Sequence, residues 1–198
     1  MTLGEFFRGD REHEKGQTPT RLAILISNKG TGSNLQAIID VINHKEINCE
    51  VSLVVSDKPD AKGLEKAKKH HIHSEIKTLN ERGESEREIY GKNLAELLNE
   101  NNVEIAVLTG FGTILSPSYF KTFKGVTINI HPGLIPDKKN KPWCFPDGTK
   151  APWNQGLMTE RAVANFLELS YAGSTIHAVT EEVDFGPVLK RVTVKVEP

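Results

Sequence analysis

An α/β fold with a mainly parallel, Rossmann-like sheet and helices on both faces is the architecture this sequence predicts. Three observations carry that expectation. Continuous apolar runs of strand length alternate with segments of helical periodicity from Arg21 onward, the pattern of parallel strands buried on both sides. The first apolar run passes through a Gly-rich turn into a helix, which is the opening of a β-loop-α unit. The 198 residues, 37% of them apolar, are enough for one well-buried domain and short for two.

Residues 1–20 are rich in charge and end in Gly16-Gln17-Thr18-Pro19-Thr20, so they are expected to form a flexible extension that Phe6 and Phe7 do not anchor. The domain is expected to occupy 21–198. Residues 22–26 form the first apolar strand, and 34–43 place Leu35, Ile38, Ile39 and Ile42 at helical spacing. The unit repeats with a strand at 51–55 and a helix at 61–70, followed by an extended piece at 72–79. A long helix over 84–100 and a buried strand over 103–108 come next, and 126–131 is strongly β-patterned. The rhythm then breaks. A loop of about 132–155 contains Pro132, Pro136, Pro142, Pro146 and Pro152 with Lys138, Lys139, Lys141 and Lys150, and has no periodicity. It reads either as a lid or substrate-facing insertion or as disorder. A helix over 159–169 and strands over 174–179 and 188–196 complete the chain, the last alternating Val192, Val194 and Val196 with Thr193 and Lys195.

A formal net charge of -1, from 25 basic and 26 acidic residues, argues against a large nucleic-acid footprint and favours small-molecule substrates. Cys49 and Cys144 belong to no CxxC pair, so neither a disulfide framework nor a zinc ribbon is expected, and a reducing cytoplasmic compartment fits. No apolar stretch approaches the roughly 18 residues that cross a bilayer, and the N-terminus lacks a signal-peptide layout. A soluble, cytoplasmic protein with no membrane partner is expected, and a homodimer is compatible with this composition.

Asn129 and His131 are the most informative residues. Strand side chains alternate, so Val126, Ile128 and Ile130 should enter a core while Asn129 and His131 share the opposite face. An amide donor and an imidazole at one strand tip suit a reaction that builds negative charge on a carbonyl oxygen. The alternative is a strand that ends in polar residues before a proline-rich loop.

Between the first strand and helix, Ser27-Asn28-Lys29-Gly30-Thr31-Gly32-Ser33-Asn34 offers glycines and free helix N–H groups to a phosphate. It serves equally as a tight turn capped by Ser33 or Asn34. Asp57 stands where a dinucleotide fold keeps its ribose-binding acid, but the glycine spacing is wrong for NAD. Asp184, before a Gly-Pro turn, reads as an Asx-turn residue or as a carboxylate that keeps His131 protonated or takes a proton from an attacking amine. His70, His71 and His73 suit a solvated helix end better than a metal site, and His177 reads as a satisfied core histidine. Trp143 and Trp153 either cover a ligand or anchor the long loop.

Together these segments resemble the folate-dependent formyltransferase family, and within it the branch acting on phosphoribosylglycinamide (GAR). The resemblance is carried by Gly32-Ser33-Asn34-Leu35-Gln36-Ala37-Ile38, by Phe111 with Ile114-Leu115-Ser116-Pro117, by Asn129-Ile130-His131-Pro132, and by Gly173-Ser174-Thr175-Ile176-His177 leading to Asp184-Phe185-Gly186-Pro187-Val188. It implies a catalytic trio of Asn129, His131 and Asp184. It also implies a phosphate cradle of Lys29, Gly30, Thr31, Gly32, Ser33 and Asn34, and a folate cleft lined by Gly112, Thr113, Ile114, Leu115, Thr180, Glu181 and Val183. The co-substrate would be 10-formyltetrahydrofolate, with no metal. The turn after strand one is longer than is usual in the family, and Gly112-Thr113 replaces a common Met-Arg. Residues 133–172 are longer and differently composed, and the chain ends where GAR enzymes continue into a substrate-binding segment. Transfer to another amine, such as an amino-sugar nucleotide, and a non-catalytic phosphate- or folate-binding module are the alternatives.

Overall fold

The computed structural model describes residues 18–27, 31–80, 83–157 and 159–196, so the expected extension lies almost wholly outside the described residues. In chain order the elements are β1 (Thr20–Ile26), α1 (Ser33–Asn43), β2 (Cys49–Ser56), α2 (Lys62–Lys69), β3 (Ser74–Ile76), α3 (Glu84–Glu100), β4 (Ile105–Leu108), α4 (Pro117–Thr122), β5 (Val126–His131), α5 (Thr159–Ala164), β6 (Tyr171–Ala178) and β7 (Val188–Lys195). The strands form one sheet in the order β3-β2-β1-β4-β5-β6-β7. The first five are mutually parallel, and β6 and β7 are antiparallel additions.

Burial on both faces explains why the early strands read as unbroken apolar runs. Ala23 and Leu25 of β1 join Leu53, Val55 and the α3 residues Leu94, Ala95 and Leu98 on one side. Leu22, Ile24 and Ile26 join Val54, Leu35 and Ile39 on the other. Each face consumes alternate residues, so neither position in the period of two can be polar.

Two expectations need correction, and one gains detail. Helix α4 was not predicted, because six residues are too few to show periodicity. Pro117 opens it at a position where its missing N–H costs nothing, and Tyr119 is fully buried with its hydroxyl 2.7 Å from Thr127 Oγ1. On β5, Ile128 and Ile130 pack against the core as expected, but the polar side is the more deeply buried one: Thr127 and His131 are buried, whereas Val126, Ile128 and Ile130 are half-buried. Tyr119 covers Thr127, and the chain around Trp153 and Asp184 covers His131. Finally, α5 stops at Ala164 rather than 169. Residues 165–169 continue in tighter turns, with Phe166 N–H bonded to Val163 O and Leu169 N–H to Phe166 O, which turns Phe166 and Leu169 toward the long loop.

That loop carries its own small core. Leu134, Phe145, Ala151 and Phe166 pack together against Leu169, Tyr171 and Ala172, with Phe145 stacked on Tyr171 at 5.7 Å between ring centres. Arg191 of β7 lies over the Trp143 ring at 4.5 Å and bonds Ile135 O and Asp137. Trp143 is therefore an anchor of the loop, and an ordered insertion stands where disorder was one alternative.

Candidate active site

Strand β5 brings Asn129 and His131 to the carboxyl end of the parallel strands, the edge where open α/β sheets build their sites. Pairing with β6 sets Asn129 opposite His177 and His131 opposite Thr175. Immediately after His131 the chain is stapled to β6. Ser174 Oγ donates to His131 O at 2.9 Å, and Thr175 Oγ1 donates to Gly133 O at 2.7 Å and accepts from Ile135 N at 3.1 Å. These bonds fix the backbone that aims the imidazole.

Asp184 reaches the same place because the β6–β7 connection doubles back. Val179 N–H bonds Thr127 O and Ala178 N–H bonds Pro187 O, which pin both ends of the turn, and Asp184 sits in the left-handed region at φ 48°. Its Oδ1 lies 3.3 Å from His131 Nδ1, 3.4 Å from Asn129 Nδ2 and 4.0 Å from His177 Nε2. Its Oδ2 accepts Gly156 N–H at 2.8 Å, and its backbone oxygen accepts the Trp153 indole N–H at 2.9 Å. His131 is only 2% exposed, and its Nε2 lies 2.6 Å from Trp153 O.

Burial by itself pushes the Asp184 carboxyl up. The hydrogen bond and charge of His131, the Gly156 N–H and His177 outweigh it and hold the carboxyl below its ordinary value. His177 moves down: burial disfavours its cation, only partly offset by Ala178 O and Asp184, and His131 adds to the fall. Its Nδ1 lies 3.0 Å from Ala178 O and so donates there, leaving neutral Nε2 to accept from Asn129 Nδ2 at 3.3 Å. The core histidine of the sequence reading is thus also the partner that orients Asn129. Its role was hidden because it follows from the β5–β6 register alone.

The His177 shift has a testable sign. A folded-state value below the ordinary 6.5 means that the unfolded chain binds more protons, so stability is full above that pH and falls as pH drops through it. His177→Gln is expected to flatten the loss of stability between about pH 7 and pH 5, read as the urea midpoint against pH.

One cleft gathers most of the expected residues. Gly112, Thr113, Ile114, Leu115, Thr180, Glu181 and Val183 line it together with Asn129, His131 and Asp184, and Gly156, Leu157 and Thr159 form a wall that sequence reasoning missed. The expected phosphate loop is not among its lining residues. Lys29 and Gly30 lie outside the described residues. Thr31 to Asn34 lead into α1, whose N-cap is Gly32 at φ 71° with no side-chain cap, so neither Ser33 nor Asn34 plays the capping part. Asp57 is buried and accepts Thr113 Oγ1 at 2.9 Å. Among the described residues no group of three or more His, Cys, Asp or Glu could hold a metal ion, and His73 pairs with Glu75.

Comparison with known proteins identifies the family. The family model described as formyl transferase matches residues 20–198. The phosphoribosylglycinamide formyltransferase of Escherichia coli is 36% identical over 175 residues, covering 88% of this chain and 73% of that protein. The enzyme of the same name from Dictyostelium discoideum is 34% identical over 190 residues, covering 89% of this chain and 84% of that one. The trifunctional purine biosynthetic protein adenosine-3 of Homo sapiens is 33% identical over 177 residues, which span only 15% of its length. The crystal structure of phosphoribosylglycinamide formyltransferase from Bacillus halodurans superposes with a TM-score of 0.70 at 29% identity, covering 90% of this chain and 81% of that chain. On the extent of these matches, the chain belongs to the formyl transferase family.

Proposed function

We propose that this protein transfers the formyl group of 10-formyltetrahydrofolate to the primary amine of phosphoribosylglycinamide, a step of purine biosynthesis. The observation that carries the reading is the meeting of Asn129, His131 and Asp184 in one cleft whose walls are the residues expected to hold folate. The names of the relatives give the acceptor. The reading is of a cytoplasmic enzyme acting on small molecules; no helix among the described residues is long and apolar enough to cross a membrane.

In this reading the acceptor nitrogen attacks the formyl carbon, and the carbonyl electron pair moves onto oxygen. Asn129 donates to that oxyanion and the positive charge of protonated His131 stabilises it, such preorganised groups each lowering the barrier by roughly 3 kcal/mol. Asp184 supports the imidazolium and assists loss of the proton from the attacking nitrogen. When the tetrahedral intermediate collapses, the bond from formyl carbon to the folate nitrogen breaks, and that nitrogen takes up a proton. The Lys29–Asn34 loop is proposed to receive the acceptor's phosphate, the start of α1 having no side-chain cap and so offering its free N–H groups.

The deciding assay incubates the protein with 10-formyltetrahydrofolate and either GAR or an amino-sugar nucleotide, and follows tetrahydrofolate release. Turnover with GAR is expected. Turnover with the amino sugar alone reassigns the acceptor, and folate binding without turnover removes the catalytic reading.

A further inference from the structure

We propose that Asn154 is a positioning residue for the reaction, acting through the backbone carbonyl of Trp153, which sets the rotation and tautomer of His131. The catalytic part of this inference rests on the formyl-transfer reading above; the tautomer part does not.

The Trp153 oxygen lies 2.6 Å from His131 Nε2. A carbonyl only accepts, so Nε2 must carry a proton, and the ring is then oriented with Nδ1 facing Asp184 Oδ1 at 3.3 Å. When Nδ1 also holds a proton, each N–H of the ring has its own acceptor. The same short segment fixes the other partner, since the Trp153 indole N–H and the Gly156 N–H both bond Asp184. Residues 153–156 therefore hold imidazole and carboxylate in one frame. The titratable groups facing His131 are Asp184, from the β6–β7 turn, and His177, from β6, whose ring stands perpendicular at 6.1 Å between centres.

Asn154 holds the frame in place. It is buried and occupies the left-handed region at φ 60°, which asparagine tolerates better than most residues. Its Nδ2 donates to Pro132 O at 2.7 Å and to Ala162 O at 3.1 Å, and its Oδ1 accepts Asn165 Nδ2 at 2.7 Å. The first bond ties the segment to the residue next to His131. Gly133 makes the approach feasible, because a Cβ there would lie 2.2 Å from Trp153 O and 2.9 Å from His131 Nε2.

The test joins a spectroscopic readout to kinetics. In ¹⁵N spectra of the wild-type protein, neutral His131 is expected as the Nε2–H tautomer. Asn154→Asp matches the size of asparagine but loses both donated bonds. It is expected to change the His131 signals and lower kcat by about a hundredfold, the scale of a misplacement near 1 Å, with KM for both substrates held within about threefold. Gly133→Ala places a Cβ against both Trp153 O and His131 Nε2, so it should likewise change the His131 signals and lower kcat. The proposal is overturned if neutral His131 carries its proton on Nδ1, or if folded Asn154→Asp leaves its signals and kcat unchanged. A wild-type protein without formyl transfer would end the functional reading, while the tautomer measurement would still decide this one.

Discussion

His131→Ala is expected to lower kcat/KM for formyl transfer by about a thousandfold, equivalent to roughly 4 kcal/mol of transition-state stabilisation. The size follows from burial. At 2% exposure, the imidazole acts where little water competes for developing charge, and its position is fixed by β6, Trp153 and Asp184 rather than by solvent. The loss should fall on kcat, because the walls expected to hold folate, from Gly112 to Leu115 and at Val183, do not depend on this side chain. His131→Gln separates chemistry from cavity formation: it fills much of the space but restores no titratable group, so its activity should stay near that of the alanine variant. Combining either change with Asp184→Asn should cost far less than the sum of the two, since the groups act as a pair. Activity within tenfold of wild type in folded His131→Ala would remove the imidazole from the mechanism.

The second large effect is on stability. Gly186→Ala places a Cβ 1.8 Å from Ala178 O and 3.0 Å from its carbonyl carbon, and both are backbone atoms that no rotamer change can move aside. The β6–β7 turn must open, although Ala178 N–H and Pro187 O hold it closed. A cost of about 3 kcal/mol is expected from such overpacking, read as a lower urea midpoint. Asp184 is two residues away, so catalysis should fall further than the loss of folded protein explains. A midpoint shift below about 0.5 kcal/mol would show that the turn relaxes freely.

The parallel half of the sheet was legible because β1, β2 and β4 are buried on both faces and advertise it as continuous apolar runs. Helix α4 was not, since its six residues are shaped by Pro117 and by the burial of Tyr119. The period-two reading of β5 placed Asn129 and His131 correctly on one face. It gave no sign that the polar face is the deeper one, because loops distant in sequence supply the cover. Asp184 was singled out by its place before a Gly-Pro turn, but its pairing with Asn129, 55 positions away, was left open by pattern and assigned only through the resemblance. The part played by the Trp153 carbonyl left no trace in the sequence for a simpler reason: it is an atom that every residue possesses.

The backbone at Asp184 narrows what this position tolerates. With φ at 48°, the turn accepts glycine, asparagine or aspartate far more readily than longer acids. Of those three, aspartate alone brings a negative charge. For the backbone, glutamate, nearest in chemistry, is a poorer replacement than the neutral amide, while for the charge the amide is the poorer one. Drift at this codon is filtered twice, by geometry and by electrostatics, and the two filters overlap on a single amino acid.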